Sequence, residues 1–178
     1  TWADHPLGVL REFVAHGLEK GIQLAVVSDI PPGSGLSSSA AIGVATTIAA
    51  LAIAGREMDP YEVARLCRRS ENEFLGVPSG LMDEVGCVMG REDMALLFHA
   101  DTEIVETVRL PPTAAWLVCQ SGIEHSLRGS AYADRPAEAA RALELARRTS
   151  PGLVSLVELD PAELEKLRLP PPLDIRAR

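Results

Sequence analysis

The sequence is poor in aromatic residues, in cysteine and in positive charge, and each shortage limits the structure or the function of the protein. Aromatic residues make up 4% of the chain, so the core has to be built mainly from Ala, Val, Leu and Ile. The three cysteines stand far apart and show no CxxC spacing, which fits a reducing compartment and argues against a structural zinc site. The net charge of −8 argues against a nucleic-acid-binding surface, which needs clustered Lys and Arg.

The sequence also shows no signal peptide and no membrane span. It opens with TWADHPLG, without a basic run or an apolar h-region. The longest apolar run, Ala40 to Ala54, is too short to span a bilayer, so we expect a buried core helix. We therefore expect a cytoplasmic protein with no membrane partner. Because residue 1 is Thr rather than Met, we expect either a processed chain or a fragment.

Helical and strand patterns occur in mixed order along the 178 residues, which indicates α+β layers. Helices are predicted at Gly8–Gly17, Ala40–Ala54, Pro60–Phe74 and Leu81–Met89, with further starts near Asp134 and Asp160. Strands are predicted at Ile22–Ile30, Met94–His99, Ile104–Leu110 and Ala115–Gln120. A change of domain is expected between positions 120 and 131, where strands give way to helices.

A glycine- and serine-rich segment, PPGSGLSSSAA, lies between a predicted strand and a predicted helix. Gly33 and Gly35 allow backbone N–H groups to approach an anion, and the helix start that follows adds unpaired N–H donors. The segment is not a Walker A loop, because it has no lysine. From the residues alone, a phosphate-binding loop and an ordinary turn with serine caps are equally good interpretations.

A second segment, ENEFLGVPSGLMDEVGCVMG, places an acid among apolar residues. Asp83 follows a glycine-containing loop and is flanked by Leu81, Met82 and Val85. Such an aspartate is either a carboxylate at a helix N-terminus or a functional acid, and the residues alone favour the helix carboxylate.

The first segment resembles the P-x-G-x-G-L-x-S-S-A motif of the GHMP kinases, and its triple serine is similar to the galactokinase branch. The resemblance implies ATP and Mg²⁺ as cofactors, with Ser39, and Ser38 second, as the hydroxyl of the magnesium shell. It implies the two-layer α+β fold of a GHMP kinase N-terminal domain (ribosomal protein S5 domain 2-like), followed by the start of a second α+β domain. The implied nucleotide-binding residues are Pro32, Gly33, Ser34, Gly35, Leu36, Ser37, Ser38, Ser39 and Ala40.

The second segment resembles the galactokinase stretch that ends in G-I-M-D-Q, whose aspartate meets the hydroxyl that is phosphorylated. The resemblance makes Asp83 the implied catalytic residue, as a base or as an orienting group. Glu71 falls on a glutamate that serves the magnesium, whereas Glu73 is interpreted as a solvated helix carboxylate. Glu84 stands where galactokinases have Gln, so it adds a negative charge near the site.

A third stretch, Cys119 to Glu138, is similar to the galactokinase passage between its two domains. His125, Tyr132 and Arg135 are therefore interpreted as structural. The implied division is an incomplete N-terminal domain at 1–125 and an incomplete start of the C-terminal domain at 126–178. The remaining histidines are too scattered for a metal cluster: His5, His16 and His99.

The resemblance implies phosphorylation of a sugar, most simply galactose to galactose 1-phosphate, with the sugar and ATP as partners and a monomer favoured. Alternatives are a related kinase acting on arabinose, a uronic acid or an amino sugar, a non-catalytic sugar and ATP sensor, and a decayed gene product. The first and third family motifs have no counterpart in the sequence. The polypeptide by itself is therefore expected to be inactive or nearly so.

Overall fold

The computed structural model describes residues 1–15, 21–113, 115–119 and 134–177. The chain divides into two compact units, Thr1–His125 and Ser126–Arg178. Predictions that concern His16, Gly17, Gln120, His125 and Tyr132 lie outside the described residues.

The first unit contains three helices packed around one apolar core. They are α1 (Asp4–Ala15), α2 (Ser38–Ala54) and α3 (Pro60–Arg69). Helix α2 is alanine-rich and has no charged residue, and Gly55 caps its C-terminus in the left-handed conformation (φ 62°). It was predicted to be a buried helix, but only one side is buried, because Ile48 (53%) and Ile53 (59%) are exposed. Phe13, Val44 and Leu66 are buried where the three helices meet.

The start of α3 follows from two residues that were recognisable in the sequence. Asp59 caps the helix by accepting a 2.9 Å hydrogen bond from the Tyr61 N–H, and Pro60 occupies the first turn. Near the C-terminal end of the helix, Cys67 is buried against Thr47 of α2, at 3.2 Å from Sγ to Oγ1. Burial raises the pKa of the Cys67 thiol to about 12, so the thiol stays protonated and belongs to the core.

Helix α3 continues directly into a π-helix, Ser70–Leu75. Gly76 ends it at φ 67°, with its N–H bonded to the carbonyl oxygen of Glu71. A short loop then leads into α4 (Met82–Met89). The wide π turn is rare in proteins and occurs most often at functional sites.

Two strands, β1 (Met94–His99) and β2 (Ile104–Arg109), form an antiparallel hairpin in register from Met94–Arg109 to His99–Ile104. Phe98 and Val105 pack against a second buried cluster formed by Ala64, Leu81 and Val85. This contact joins the hairpin to α3 and α4.

The described part of the second unit, residues 134–177, is mainly helical. Its elements are α5 (Asp134–Arg147), a 3₁₀ turn (Leu156–Glu158), α6 (Pro161–Lys166) and α7 (Leu173–Arg176). An ion pair between Arg176 and Glu138, 2.6 Å from Nε to Oε2, joins α7 to α5. Asp160 and Glu163 form a capping box at α6, as the Asp-Pro-Ala-Glu pattern predicts.

The structure corrects two strand predictions and shifts two helix starts. Residues 22–30 and 115–119 are not strands, because an extended segment forms a ladder only with a partner and the described strands pair only with each other. Their apolar side chains are largely exposed, as Val27 (98%) and Leu117 (86%) show. Helix α1 begins at Asp4 rather than Gly8, and α2 begins at Ser38 rather than Ala40.

Within the described ranges, every helix is too short or too polar to cross a bilayer.

Candidate active site

The glycine- and serine-rich loop before α2 holds an unusual run of left-handed residues. Gly33 (φ 70°), Gly35 (φ 75°) and Ser37 (φ 53°) all have positive φ, with one residue between each pair. Glycine adopts this conformation freely, but for Ser37 it carries a steric cost of about 1 kcal/mol or more. Alternation of left-handed with other conformations directs backbone N–H groups to one side, which is the geometry of an anion-binding nest.

The loop leads into the first turn of α2, where Ser38 and Ser39 are partly exposed. Ser37 is the N-cap residue, yet its side chain makes no capping hydrogen bond, so the side chain does not occupy the free N–H groups of the first turn. Ser34 instead donates a 2.6 Å hydrogen bond back to the Pro31 carbonyl, which fixes the start of the loop. The amides of the first turn therefore remain available to an anionic ligand.

Ser39 and Glu71, which were predicted to serve one metal, line the same small cavity of about 10 Å³. Ser70 and His5 line it as well. The side chain of Glu71 is 9% exposed, and its Oε1 has no hydrogen-bond partner among the described residues; the same holds for Ser70 Oγ. A cavity of this size holds about one water molecule or one small ion.

The surroundings of Glu71 keep its carboxyl group ionised. Burial by itself would raise the pKa of Glu71, but the polar groups of His5, Ser79 and Ser39 outweigh burial and hold the pKa below its usual value. A buried, ionised carboxylate with a free oxygen is the group that a hard cation prefers as a ligand.

The residue after Glu71 connects the π-helix to the loop before α4. Asn72 accepts, through Oδ1, a 2.8 Å hydrogen bond from the Ser79 N–H. The Val77 N–H donates a 3.0 Å bond to the carbonyl oxygen of Glu71. The π-helix therefore determines where the chain enters α4, and hence where Asp83 lies.

Asp83 lies in the first turn of α4 with its side chain exposed, and it is not among the residues that line the cavity. Glu84, the next residue, is 0% exposed, and both of its carboxylate oxygens lack a hydrogen-bond partner among the described residues. Burial, with Glu71 and Asp83 nearby, raises the pKa of Glu84 to about 7. Glu73 is exposed on the π-helix, as interpreted from the sequence.

Sequence reasoning did not identify His5 as part of this site. Its Nδ1 lies 3.6 Å from Glu71 Oε1, although the two residues are far apart in the chain. No sequence signal connects them, because a lone histidine in the first turn of a helix carries no motif. His99 pairs with Glu106 across the hairpin at 3.1 Å and lies outside the cavity.

The described residues contain no cluster of three or more His, Cys, Asp or Glu side chains able to hold a metal by themselves. A cation at Glu71 would therefore need ligands of another kind, such as the Ser39 hydroxyl and the oxygens of a bound phosphate.

Comparison with known proteins places these features in a family. The profile of the GHMP kinases N terminal domain matches residues 4–91. The chain is 37% identical over 182 aligned residues to a galactokinase of Roseiflexus sp., with 100% of this chain and 46% of that protein covered. It is 32% identical to a galactokinase of Pyrococcus furiosus, with 97% of this chain and 47% of that protein covered. The chain thus spans about half the length of the curated relatives it matches.

Among solved structures, the crystal structure of Lactococcus lactis galactokinase complexed with galactose is similar to this chain, with a TM-score of 0.85 and 25% identity. The match covers 99% of this chain and 47% of that one. The α+β fold expected from the resemblance is therefore confirmed. Residues 4–91 match the GHMP kinase N-terminal domain, and the chain is galactokinase-like in sequence and in fold.

Proposed function

We propose that this chain is the part of a galactose-phosphorylating kinase that carries the nucleotide loop and the acid facing the sugar hydroxyl. The observation that carries the proposal is the convergence of Ser39, at the start of α2, with the buried and ionised Glu71 on one small cavity. The loop and the acid are the two segments that resemble galactokinases, and relatives at 29–37% identity are galactokinases.

The proposed reaction transfers the γ-phosphoryl group of ATP to a hydroxyl of galactose. Asp83 is proposed to accept the hydroxyl proton, or to orient the hydroxyl, as the oxygen attacks phosphorus. Its exposed position in the first turn of α4 leaves the carboxylate accessible to a substrate. The hydrogen bond from the Ser79 N–H to Asn72 fixes the loop that leads to Asp83. The backbone that carries the acid is therefore held in position.

The nucleotide phosphates are proposed to lie against the N–H groups of residues 32–40. The left-handed residues Gly33, Gly35 and Ser37 and the free first turn of α2 support this placement. Donors fixed before the substrate binds stabilise developing charge without having to reorganise.

A divalent cation is proposed to lie at Ser39 and Glu71, because Glu71 Oε1 is a buried carboxylate oxygen that accepts no hydrogen bond within 3.5 Å from a described residue, with His5 Nδ1 at 3.6 Å. Ser39 would contribute its hydroxyl oxygen and Glu71 its carboxylate. When bound with ATP, Mg²⁺ supplies positive charge that offsets the charge of the phosphate oxygens.

The finer features of the proposal rest on the resemblance and on composition. We propose that the units Thr1–His125 and Ser126–Arg178 belong to the N-terminal and C-terminal domains of the parent enzyme. A monomer in the cytoplasm is proposed, and the three free cysteines fit a reducing compartment.

The test is galactose-dependent release of ADP from Mg-ATP, measured for this chain and for its longest natural form with a panel of sugars. The proposal predicts release with galactose by the long form and little or none by the 178 residues alone. Release that depends on arabinose, a uronic acid or an amino sugar would change the substrate. Binding of sugar and ATP without ADP release would favour a sensor.

A further inference from the structure

One face of α1 runs along the end of α3 and the π-helix. Glu12 accepts a 3.0 Å bond from Arg69 Nε, and the Arg11 guanidinium lies over the Phe74 ring at 5.6 Å from the ring centre. Two turns nearer the N-terminus, His5 Nδ1 faces Glu71 Oε1 at 3.6 Å. The side chains at 5 and 12 are separated by seven residues, which is two helical turns, so both project from the same face.

Gly8, between these contacts, determines how closely the helices approach. A Cβ atom at Gly8 would lie 2.4 Å from Ser70 Oγ and 2.8 Å from Phe74 Cδ1. Only a residue without a side chain allows α1 to lie directly on the π-helix. This close approach brings His5 to the cavity that Ser39 and Glu71 line.

His5 and Glu71 are in contact without a hydrogen bond between them. At 3.6 Å the two atoms are farther apart than in a hydrogen bond, and Oε1 has no other partner among the described residues. The side chain of His5 is 26% exposed and that of Glu71 is 9% exposed, so the imidazole is the more accessible of the two groups. An imidazole at this distance limits the rotamers of the Glu71 side chain and leaves Oε1 without a hydrogen bond.

We infer that His5 is a positioning residue for the divalent cation, holding the Glu71 carboxylate so that a free oxygen stays beside the Ser39 hydroxyl. This inference rests on the proposed function, because the cation arrives with the nucleotide. A side chain that orients a ligating carboxylate contributes about 10- to 100-fold in metal affinity. His5 does not itself need to touch the cation or the phosphates.

The test measures the Kd of Mn²⁺ in the presence of AMP-PNP, a non-hydrolysable ATP analogue, from the EPR signal of free Mn²⁺. His5→Ala is expected to weaken Mn²⁺ binding by about 10-fold or more. His5→Asn is expected to retain most of the affinity, because its amide nitrogen occupies the place of Nδ1. His99→Ala, which removes the histidine paired with Glu106 in the hairpin, is the matched control and should leave the Kd unchanged.

The outcomes separate this inference from the proposed function. The positioning role is overturned if His5→Ala leaves nucleotide-dependent Mn²⁺ binding unchanged. It is also overturned if His5→Ala and His5→Asn weaken that binding equally. Absence of such binding by the unsubstituted chain contradicts the proposed function, and the inference with it. Thermal unfolding of each variant checks that lost affinity is not lost fold.

Discussion

Asp83 and Glu84 are consecutive in α4, yet the first carboxylate is exposed and the second is completely buried. Two neighbouring acids on α4 therefore lie in different surroundings, one in solvent and one in the protein interior. Burial raises the pKa of Glu84 to about 7, with Glu71 and Asp83 adding to the effect and Arg68 opposing it. Helix α2, which also packs on α4, contributes no charged residue.

This burial predicts that stability falls as the pH rises. The pKa of Glu84 is about 7 in the folded chain and 4.5 in a model peptide, so the folded state holds an extra proton between these values. The free energy of unfolding should therefore fall through this window and level off above it, by on the order of 2 to 3 kcal/mol between about pH 5 and about pH 8. Urea unfolding at both pH values measures the change.

Glu84→Gln is the matched variant, because it keeps the shape and removes the titrating group. The unfolding free energy of Glu84→Gln should not fall with the titration of Glu84. The variant should therefore be more stable than the unsubstituted chain at about pH 8 and about equally stable at about pH 5. An equal pH dependence in the two proteins would show that Glu84 is not the titrating group.

The close approach of α1 to the π-helix predicts opposite effects for two glycine substitutions. Gly8→Ala should lower the free energy of unfolding by about 1 to 3 kcal/mol, because its Cβ would collide with Ser70 and Phe74. Gly86→Ala in α4 meets nothing within 4 Å and should be neutral or stabilising by up to about 1 kcal/mol. Chemical denaturation of both variants measures the difference, and equal stabilities would contradict the packing at Gly8.

Features that depend on neighbouring residues were predictable from the sequence. The caps at Asp59 and Asp160, the glycine end of α2 and the two hairpin strands each need only local chemistry, and each is present. The prediction that Ser39 and Glu71 serve one metal came from the resemblance alone. A serine and a glutamate so far apart in the sequence form no metal-binding motif by themselves.

Features that depend on tertiary contacts were not predictable. The segment 22–30 has strand-forming composition, but a strand forms only against a partner, and composition does not show whether one is present. The burial of Glu84 depends on how α4 lies against α3 and the hairpin, and its neighbour Asp83 has the same charge in the sequence. The approach of His5 to Glu71 depends on the missing side chain of Gly8.

The proposed role of Asp83 predicts a loss of turnover in the longest natural form. Asp83→Asn should lower kcat for galactose by about 100-fold or more, because an amide cannot accept the hydroxyl proton. Glu73→Gln, which changes an exposed carboxylate on the π-helix, is the control and should have little effect on kcat. Coupled measurement of ADP release at saturating ATP and sugar gives both values, and unchanged turnover in Asp83→Asn would remove Asp83 from the mechanism.

The left-handed loop predicts that Gly35→Val weakens ATP binding through the backbone. At φ 75° a β-branched residue is strained by about 1 to 2 kcal/mol or more, so the loop should turn its N–H groups away from the phosphates. Gly55→Val is the matched control, because Gly55 has φ 62° and equally open surroundings but lies at the opposite end of α2, about 25 Å away. Both variants should lose stability, and only Gly35→Val should raise the Kd for ATP in calorimetric titration. An equal Kd in the two variants would mean that the loop conformation does not serve the nucleotide.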